Sequence, residues 1–266
     1  LKVGSRFSLC QVRTLYRDIC LLGVDSFPPL FSSYMAQVTT ITFLKYAGFQ
    51  KKYWALGMMG KAHRALSAIE GCTFYKLLGS GKGEKGFSVI PDFSTYALLQ
   101  VWESRADAKR FFEEAEVMQQ FKSQSVEQWT LFLQATRVHG LWSNNQPFFV
   151  EEKVPQNLPV AVITRATIHP SKLFSFWKYV PTSQQGLAKN DGLLFTKGIG
   201  ELPIVQMATF SLWKNEEALH AFAYKSDAHK EAIKRTRKLG WYKEELFARF
   251  VVIDVHGTYQ GKNPLK

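Results

Sequence analysis

The stretch YKSDAHKEAIKRTRKLGW, residues 224 to 241, contains the histidine whose surroundings best suit chemistry. The pattern predicts a helix with Ser226 at its N-cap and an acidic residue in its first turn. His229 then shares a face with Ala232 and Ile233, while the lysines run down another face. A helix N-terminus disfavours the imidazolium, so this imidazole keeps a lone pair for a metal such as haem iron. A satisfied core or capping histidine is the competing interpretation.

The other five histidines have simpler explanations. His139 and His256 end similar strands before a glycine, where turn geometry accounts for both. His63 and His169 are expected on the surface, and His220 follows two glutamates by one helical turn, which predicts an ion pair.

A glycine-rich segment, GSGKGEKGF, matches the G-x-G-x-x-G pattern of dinucleotide-binding loops through Gly81, Gly83 and Gly86. Such a loop must open a helix, whereas Pro91 follows here and favours entry into a strand. We therefore predict a long hairpin loop, whose Lys82 and Lys85 could meet an anion.

The chain lacks the other common catalytic patterns, including paired carboxylates, a Ser-His-Asp set and H-E-x-x-H. In an apolar, aromatic-rich sequence this favours a cofactor that carries the reaction. Three basic residues near predicted strands could pair with haem propionates, namely Arg165, Lys197 and Lys76. Ordinary surface charge is the alternative for each.

Composition narrows the protein class. The 266 residues, 46% of them apolar, suffice for one large domain or two small ones. There is no run of 18 apolar residues, which predicts a cytoplasmic protein. The three widely spaced cysteines fit neither disulfides nor a metal site. The net charge of +12 comes without a recognised nucleic-acid motif, so an anionic cofactor or a peripheral contact with an anionic membrane stays open.

The chain is a tandem duplication. EQWTLFLQATRVHG, from Glu127, matches EELFARFVVIDVHG, from Glu244, at an offset of 117 residues. Each half predicts strand, helix, strand, strand, helix, strand, which is a ferredoxin-like unit. The predicted class is α+β, with two such units forming one barrel. The predicted divisions are an extension without compact structure at 1–34, a first unit at 35–150 and a second unit at 151–266.

The two halves differ in the region of His229. From Trp102 to His139 there are 37 residues, but from Trp213 to His256 there are 43. The additional six fall in the helical region that contains His229, and its first-half counterpart has no histidine. One site per chain is therefore predicted.

Several longer strings resemble the spheroidene monooxygenase family of carotenoid biosynthesis. The similarity covers about residues 35 to 266 and includes the strings YWALGMMGKAHRAL, FYKLLGSGKGEKGFSVIPDFSTYALLQVW, ITRATIHPSKLFSFWKYVP, FTKGIGELPIVQMATFSLW and GWYKEELFARF. The resemblance implies a dimeric α/β barrel with haem b, which uses dioxygen and reduced ferredoxin to introduce a keto or hydroxy group at C2 of acyclic carotenoids such as spheroidene. The match begins at Met35, which is the expected start of translation.

The resemblance also suggests site residues. KSDAHKEAIK is similar to the helix that supplies the proximal histidine in haem-degrading members of the same barrel class, although His229 comes three residues earlier than in that pattern. An apolar slot for the polyene end is expected, with Phe195, Trp177, Phe210 and Met207 as candidate wall residues. Two alternatives stay open: a haem-binding or haem-degrading barrel without carotenoid chemistry, and a cofactor-free binding module.

Overall fold

The computed structural model describes residues 36–83, 88, 90–151, 154–155, 157–183, 190–202, 204–225 and 238–265. Residues Gln37–Lys266 belong to one compact unit. The predicted extension at 1–34 lies outside the described residues, and so does His229.

Eight antiparallel strands close into a single barrel. Their order around the barrel is β1-β3-β2-β6-β7-β5-β8-β4, so each half of the chain contributes four adjacent strands in the ferredoxin-like order. The α+β class and the two tandem ferredoxin-like sets are thereby confirmed. The strands are β1 Val38–Lys45, β2 Cys72–Gly81, β3 Pro91–Trp102, β4 Glu127–Gly140, β5 Val160–Ile168, β6 Leu193–Leu202, β7 Gln206–Trp213 and β8 Tyr242–Gly257.

The helices lie outside the barrel, between the strands of each half. In the first half the sequence predicts one helix from about Asp107 to Ser123, and this was wrong, because Ala115 adopts an extended conformation (φ −68°, ψ 123°) and divides the helix in two. The described helices are α1 Phe49–Lys61, α2 His63–Leu66, α3 Arg105–Glu114, α4 Glu116–Gln124, α5 Leu173–Ser183 and α6 Glu216–Lys225.

The two halves meet along two unequal seams. Strands β4 and β8 pair along most of their length, from Trp129 opposite Gly257 to Gly140 opposite Leu246. Strands β2 and β6 share only two residue pairs, Gly79 with Gly200 and Ser80 with Ile199. The second seam is therefore the weakly joined side of the barrel.

The long seam ends in two equivalent turns. Gly140 and Gly257 have φ angles of +87° and +79°, and a Cβ on either would overlap a backbone carbonyl oxygen of the other half. Only glycine adopts this geometry at low cost. These glycines confirm the turn explanation for the histidines that precede them.

Strand alternation separates two apolar layers. Inward residues such as Ile163, Phe210 and Phe250 fill the barrel with a continuous aromatic and aliphatic cluster. Outward residues face the helices and form separate clusters. The glycine-rich segment joins β2 to β3, and the Lys82 amide donates to the Ile90 carbonyl at 2.7 Å. The hairpin prediction is thereby confirmed, while Lys85 lies outside the described residues.

Candidate functional site

The middle of the outer face of the first four-stranded sheet is closely packed. Its side chains and those of the first-half helices form one continuous cluster, which includes Leu44, Leu77 and Leu98. These three leucines are 2%, 8% and 0% exposed. No room for a ligand is evident among these described residues, because leucines occupy the middle of the face.

The outer face of the second sheet is interrupted instead. One cluster surrounds Ile168 and Trp241 at one end of the strands, and another surrounds Val162 and Trp213 at the other end. Between the two clusters runs a row of paired residues, in which Gly198 is opposite Thr209, Thr209 opposite Thr164, and Thr164 opposite Phe247. Phe247, at the end of this row, packs against the second cluster. We call this row, consisting of Gly198, Thr209, Thr164 and Phe247, the threonine strip.

A comparison of the two halves shows how the threonine strip differs from the equivalent row of the first half. Val38 pairs with Trp102 in the first half as Val160 pairs with Trp213 in the second, which fixes the equivalence of the strands. The equivalent first-half row is Leu77, Leu98, Thr42 and Thr130. Two leucines of that row are thus replaced by Gly198 and Thr209. In the adjoining row, Leu44 corresponds to Ala166.

Exposure agrees with this comparison. Thr42 is fully buried, and its hydroxyl lies 2.9 Å from that of Thr130. Its counterpart Thr164 is exposed, although it lies in the middle of a central strand on the helix-covered face. A mid-sheet side chain is normally covered by packed neighbours. Among the residues that the structure describes, the threonine strip is therefore the floor of a recess, which is most exposed at Thr164.

Two buried polar atoms next to the recess have no hydrogen-bond partner among the described residues. They are Oγ1 of Thr196 and Nε of Arg249, in the row beside the threonine strip. Arg249 also forms an ion pair with Glu216. Its first-half counterpart is the buried Phe132. The second half therefore has a cationic side chain at the position where the first half has an aromatic ring. Buried unpaired donors of this kind suit an anionic or polar ligand.

His229 belongs to the sequence that links the two ends of the recess. Phe222 packs in the cluster at one end, and Trp241 is a buried member of the cluster at the other end. His229 lies between them in the sequence, outside the described residues. Its role as a ligand stays a prediction.

Arg165 lies inside the barrel, on the opposite face of β5 from the threonine strip. Its side chain is 2% exposed and forms ion pairs with Glu244 and Glu201. Burial alone would raise the pKa of Glu244, but amide donation from Asn144 and Ser143 and the charge of Arg165 outweigh it, so this pKa lies below its ordinary value of 4.5. Arg165 thus already has protein carboxylates as partners.

Lys197 and Lys76 are also paired within the protein. Lys197, with a side chain 4% exposed, contacts Asp92 at 3.2 Å, and Lys76 contacts Glu201 at 2.6 Å. Burial tends to raise the pKa of Asp92, but hydrogen bonds from Ser94 and the charge of Lys197 lower it overall. The structure therefore does not bring Arg165 and Lys197 to the recess, and their pairing with propionates stays a prediction.

An apolar cleft opens at the weak seam between β2 and β6. Its cavity volume is about 220 Å³, and it reaches the threonine strip at Gly198. Most of its lining is apolar and comes from both halves of the chain, including Leu56, Met59, Phe93, Trp177, Ile204 and Met207.

The predicted wall residues divide into two groups. Trp177 and Met207 line the cleft. Phe195 and Phe210 pack inside the barrel instead, where the Phe195 ring lies 4.8 Å from the ring of Trp129. The second pair is therefore part of the core, because inward positions of the closed barrel are already filled.

The remaining described histidines behave as surface residues. His220 lies 3.1 Å from Glu216, which confirms the predicted ion pair. His256 has a side chain 65% exposed and lies 3.3 Å from Asp254. Within the described ranges, no three His, Cys, Asp or Glu side chains cluster as a metal ion would require.

Sequence reasoning missed Thr164, Thr209, Gly198 and Arg249. Each is unremarkable in its own segment, and only a position-by-position comparison of the two halves distinguishes it. The signal was present in the repeat, where leucines and a phenylalanine of the first half become small or charged residues in the second.

Comparison with solved structures supports the fold. An aldoxime dehydratase matches with a TM-score of 0.58 and 14% identity, over 87% of this chain and 88% of that one. Another, an aldoxime dehydratase in complex with butyraldoxime, has the same TM-score with 9% identity, over 87% and 86% of the two chains. Together with the strand order, these place the chain in the dimeric α/β barrel class.

Curated relatives show the family. Spheroidene monooxygenase of Cereibacter sphaeroides is 33% identical over 230 residues, which are 86% of this chain and 71% of the relative. Its counterpart from Rhodobacter capsulatus is 33% identical over 86% of this chain and 95% of the relative, and that from Rubrivivax gelatinosus is 30% identical over 79% and 80%. Models of protein families give no match. The chain belongs to the spheroidene monooxygenase family, and this membership makes it an oxygen-dependent oxidoreductase, as predicted.

Helix length and composition also bear on membrane association. In the part of the chain that the structure describes, every helix is too short or too polar to cross a bilayer.

Proposed function

We propose that this chain is a haem-dependent monooxygenase that introduces a keto or hydroxy group at C2 of an acyclic carotenoid such as spheroidene. The relatives named spheroidene monooxygenase support the carotenoid substrate and the use of oxygen. The recess over the threonine strip is the observation that supports a bound cofactor. The described residues leave the middle of this mid-sheet row uncovered at Thr164, whereas the first half of the chain fills the same row with two leucines.

The residues around the recess are suited to a flat, largely apolar group with an anionic edge. Gly198, Thr209 and Thr164 provide a floor of small side chains, and the two apolar clusters provide walls. Arg249 pairs with Glu216 through one terminal nitrogen, and its buried Nε, which has no partner among the described residues, offers a charged donor for a propionate. His229 is the proposed iron ligand. When bound, haem supplies the activation of dioxygen, which no arrangement of the described side chains provides.

The apolar cleft is the proposed path for the carotenoid. Its volume of about 220 Å³ is below the range of roughly 300–1,000 Å³ of drug-sized pockets, so it suits one end of an elongated substrate. Gly198 lies in both the cleft and the threonine strip, so a polyene end in the cleft would reach the recess. The apolar lining would orient the chain and exclude water from the reacting carbon. Reduced ferredoxin is the proposed electron donor.

The first experiment compares absorbance spectra of the wild type and His229→Ala, expressed with haem supply and recorded in ferric and ferrous-CO states. We expect a Soret band in the wild type that is lost or shifted in the variant. Thr209→Leu restores the first-half residue and should reduce haem retention, whereas Thr209→Val keeps the size of the side chain and should retain haem.

Turnover of an acyclic carotenoid by the haem-loaded protein then tests the reaction. A wild type without a Soret band would reject the haem proposal. Retained haem without carotenoid turnover would instead favour a haem-binding barrel with different chemistry. A Soret band unchanged in His229→Ala would move the ligand to another residue.

A further inference from the structure

The mouth of the apolar cleft is surrounded by exposed hydrophobic side chains. Leu56, Phe93 and Ile204 line the cleft and are 47%, 51% and 45% exposed. Phe49 and Tyr53 lie two turns and one turn before Leu56 on the same face of α1, and they are 82% and 70% exposed.

The second half supplies an equivalent side chain from its own first helix. Phe174 is 85% exposed and lies one turn before Trp177, which lines the cleft. We call the set Phe49, Tyr53, Leu56, Phe93, Phe174 and Ile204 the apolar rim. Scattered exposed hydrophobic residues are ordinary, but a contiguous group around one opening marks an interaction surface.

The two helical segments that carry most of the apolar rim have charges of one sign. Helix α1 contains Lys51, Lys52 and Lys61, and the segment from Pro170 to Ser183 contains Lys172 and Lys178, while neither contains an acidic residue. None of these five lysines forms an ion pair with another residue of the described ranges.

The acidic residues of the cleft do not offset this charge. Asp92 is paired with Lys197, and Glu201 is paired with both Lys76 and Arg165. The surface around the opening therefore combines exposed aromatic side chains with uncompensated lysines. That combination is typical of proteins that lie on anionic lipid bilayers.

We propose that the apolar rim docks onto an anionic lipid bilayer, with its aromatic side chains inserted at the interface and its lysines among the headgroups. A second copy of the chain is a poorer occupant. In a two-fold contact the same patch faces itself, so the lysines would oppose lysines without any carboxylate between them.

Docking of this kind depends on surface residues alone and does not require the proposed function. Carotenoids dissolve in membranes, so docking at the cleft mouth would let the proposed substrate enter without crossing water. Neither bound haem nor carotenoid turnover is needed for the docking itself.

Vesicle co-sedimentation tests the proposal with the full chain. Vesicles of phosphatidylcholine mixed with phosphatidylglycerol are compared with vesicles of phosphatidylcholine alone, both without carotenoid. We expect stronger binding to the anionic vesicles. Replacing Lys52, one turn from Phe49, and Lys178, one turn from Phe174, with glutamine should weaken that binding by about fivefold per lysine.

The aromatic part is tested by a matched pair of variants. Phe49→Ser with Phe174→Ser should reduce vesicle binding by about tenfold or more, because two inserted rings are lost. Phe149→Ser is the control, since Phe149 is 58% exposed but lies outside the apolar rim, with its amide bonded to Gln37 before β1. Unchanged melting temperatures would establish that all variants fold.

Three outcomes would overturn the proposal: no binding to anionic vesicles, equal loss in the Phe149→Ser control, or no effect of the lysine substitutions. Light scattering of the protein alone tests the alternative occupant, which is a second copy of the chain. A dimer that dissociates in the Phe49→Ser, Phe174→Ser variant, without vesicle binding, would assign the apolar rim to that second copy. These readouts involve neither haem nor substrate. A failure here would leave the Soret band and the carotenoid assay unaffected, and their failure would leave vesicle binding intact.

Discussion

At the scale of single residues, Glu244 joins Arg165 of the second half to the turn that follows β4 in the first half. Its carboxylate pairs with Arg165 and accepts amide hydrogen bonds from Ser143 and Asn144, which adopt positive φ angles in the turn after β4. Glu127 makes the equivalent contacts with the amides of Gln260 and Gly261 in the turn after β8. Each half thus stabilises the turn that follows the last strand of the other half.

Glu244→Gln is expected to destabilise the protein at about pH 7 by about 2 kcal/mol, because the buried Arg165 would lose one of its two carboxylate partners. The pKa of Glu244 is lowered in the folded state, so its stabilising contribution is present above the unfolded value of 4.5 and disappears as the pH falls through the folded pKa. The wild type should therefore lose stability on acidification, and the variant should lose less. Urea unfolding at about pH 7 and about pH 4 measures both.

The neighbouring exposed Glu245 provides the control for this experiment. Glu245→Gln should leave the free energy of unfolding within about 0.5 kcal/mol of the wild type. An equal effect of the two substitutions would show that Glu244 has no special role.

At the scale of elements, the recess reflects three differences between the repeats. Gly198, Thr209 and Ala166 stand where the first half has Leu77, Leu98 and Leu44. The first sheet and its helices share one cluster, whereas the second sheet contacts α5 at one end and α6 at the other. The difference comes from the residues at equivalent pairs in the strands, and the strand order is the same in both halves.

Exchanging residues between the halves tests this account. Leu98→Thr should destabilise the protein by about 3 kcal/mol, because it leaves a cavity and buries a hydroxyl. Thr209→Leu should cost less than about 1 kcal/mol, because its side chain enters an open recess. Thermal and urea unfolding of the two variants give the comparison. Similar losses in both would mean that the second sheet is as tightly packed as the first.

Much of this element structure could be predicted from the sequence. The alternation in VAVITRATI identified β5 at its observed limits, and the offset of 117 residues led to the duplicated fold. The break in the helix at Ala115 could not be predicted, because alanine favours the helical conformation and its extended conformation is imposed by its surroundings. The threonine strip was missed because its members are distant in sequence and meet only through strand register.

The candidate basic residues also show that contacts between strands could not be predicted from the sequence. Arg165 and Lys197 were predicted as possible partners of haem propionates because they are basic residues near predicted strands. The sequence could not show that the partners are Glu244, Glu201 and Asp92, which come from other strands or hairpins.

At the scale of the whole molecule, the barrel is joined unevenly. Backbone amides of β2 and β6 at the short seam should exchange with deuterium faster than those of the paired centre of β4 and β8, since only two residue pairs hold the short seam. Peptide-resolved hydrogen exchange measures this difference. Equal protection at the two seams would show that opening of the barrel involves both alike.

The single-chain duplication has a consequence for how this protein could acquire a ligand site. In a symmetric dimer of identical chains, every substitution occurs twice, so exchanging Leu98 for threonine would weaken both sheets together. Here the two copies are separate stretches of one gene product and can change independently. The first half has leucines at the equivalent positions and a closely packed sheet, so the second half can have Gly198, Ala166 and Thr209 there without weakening the first.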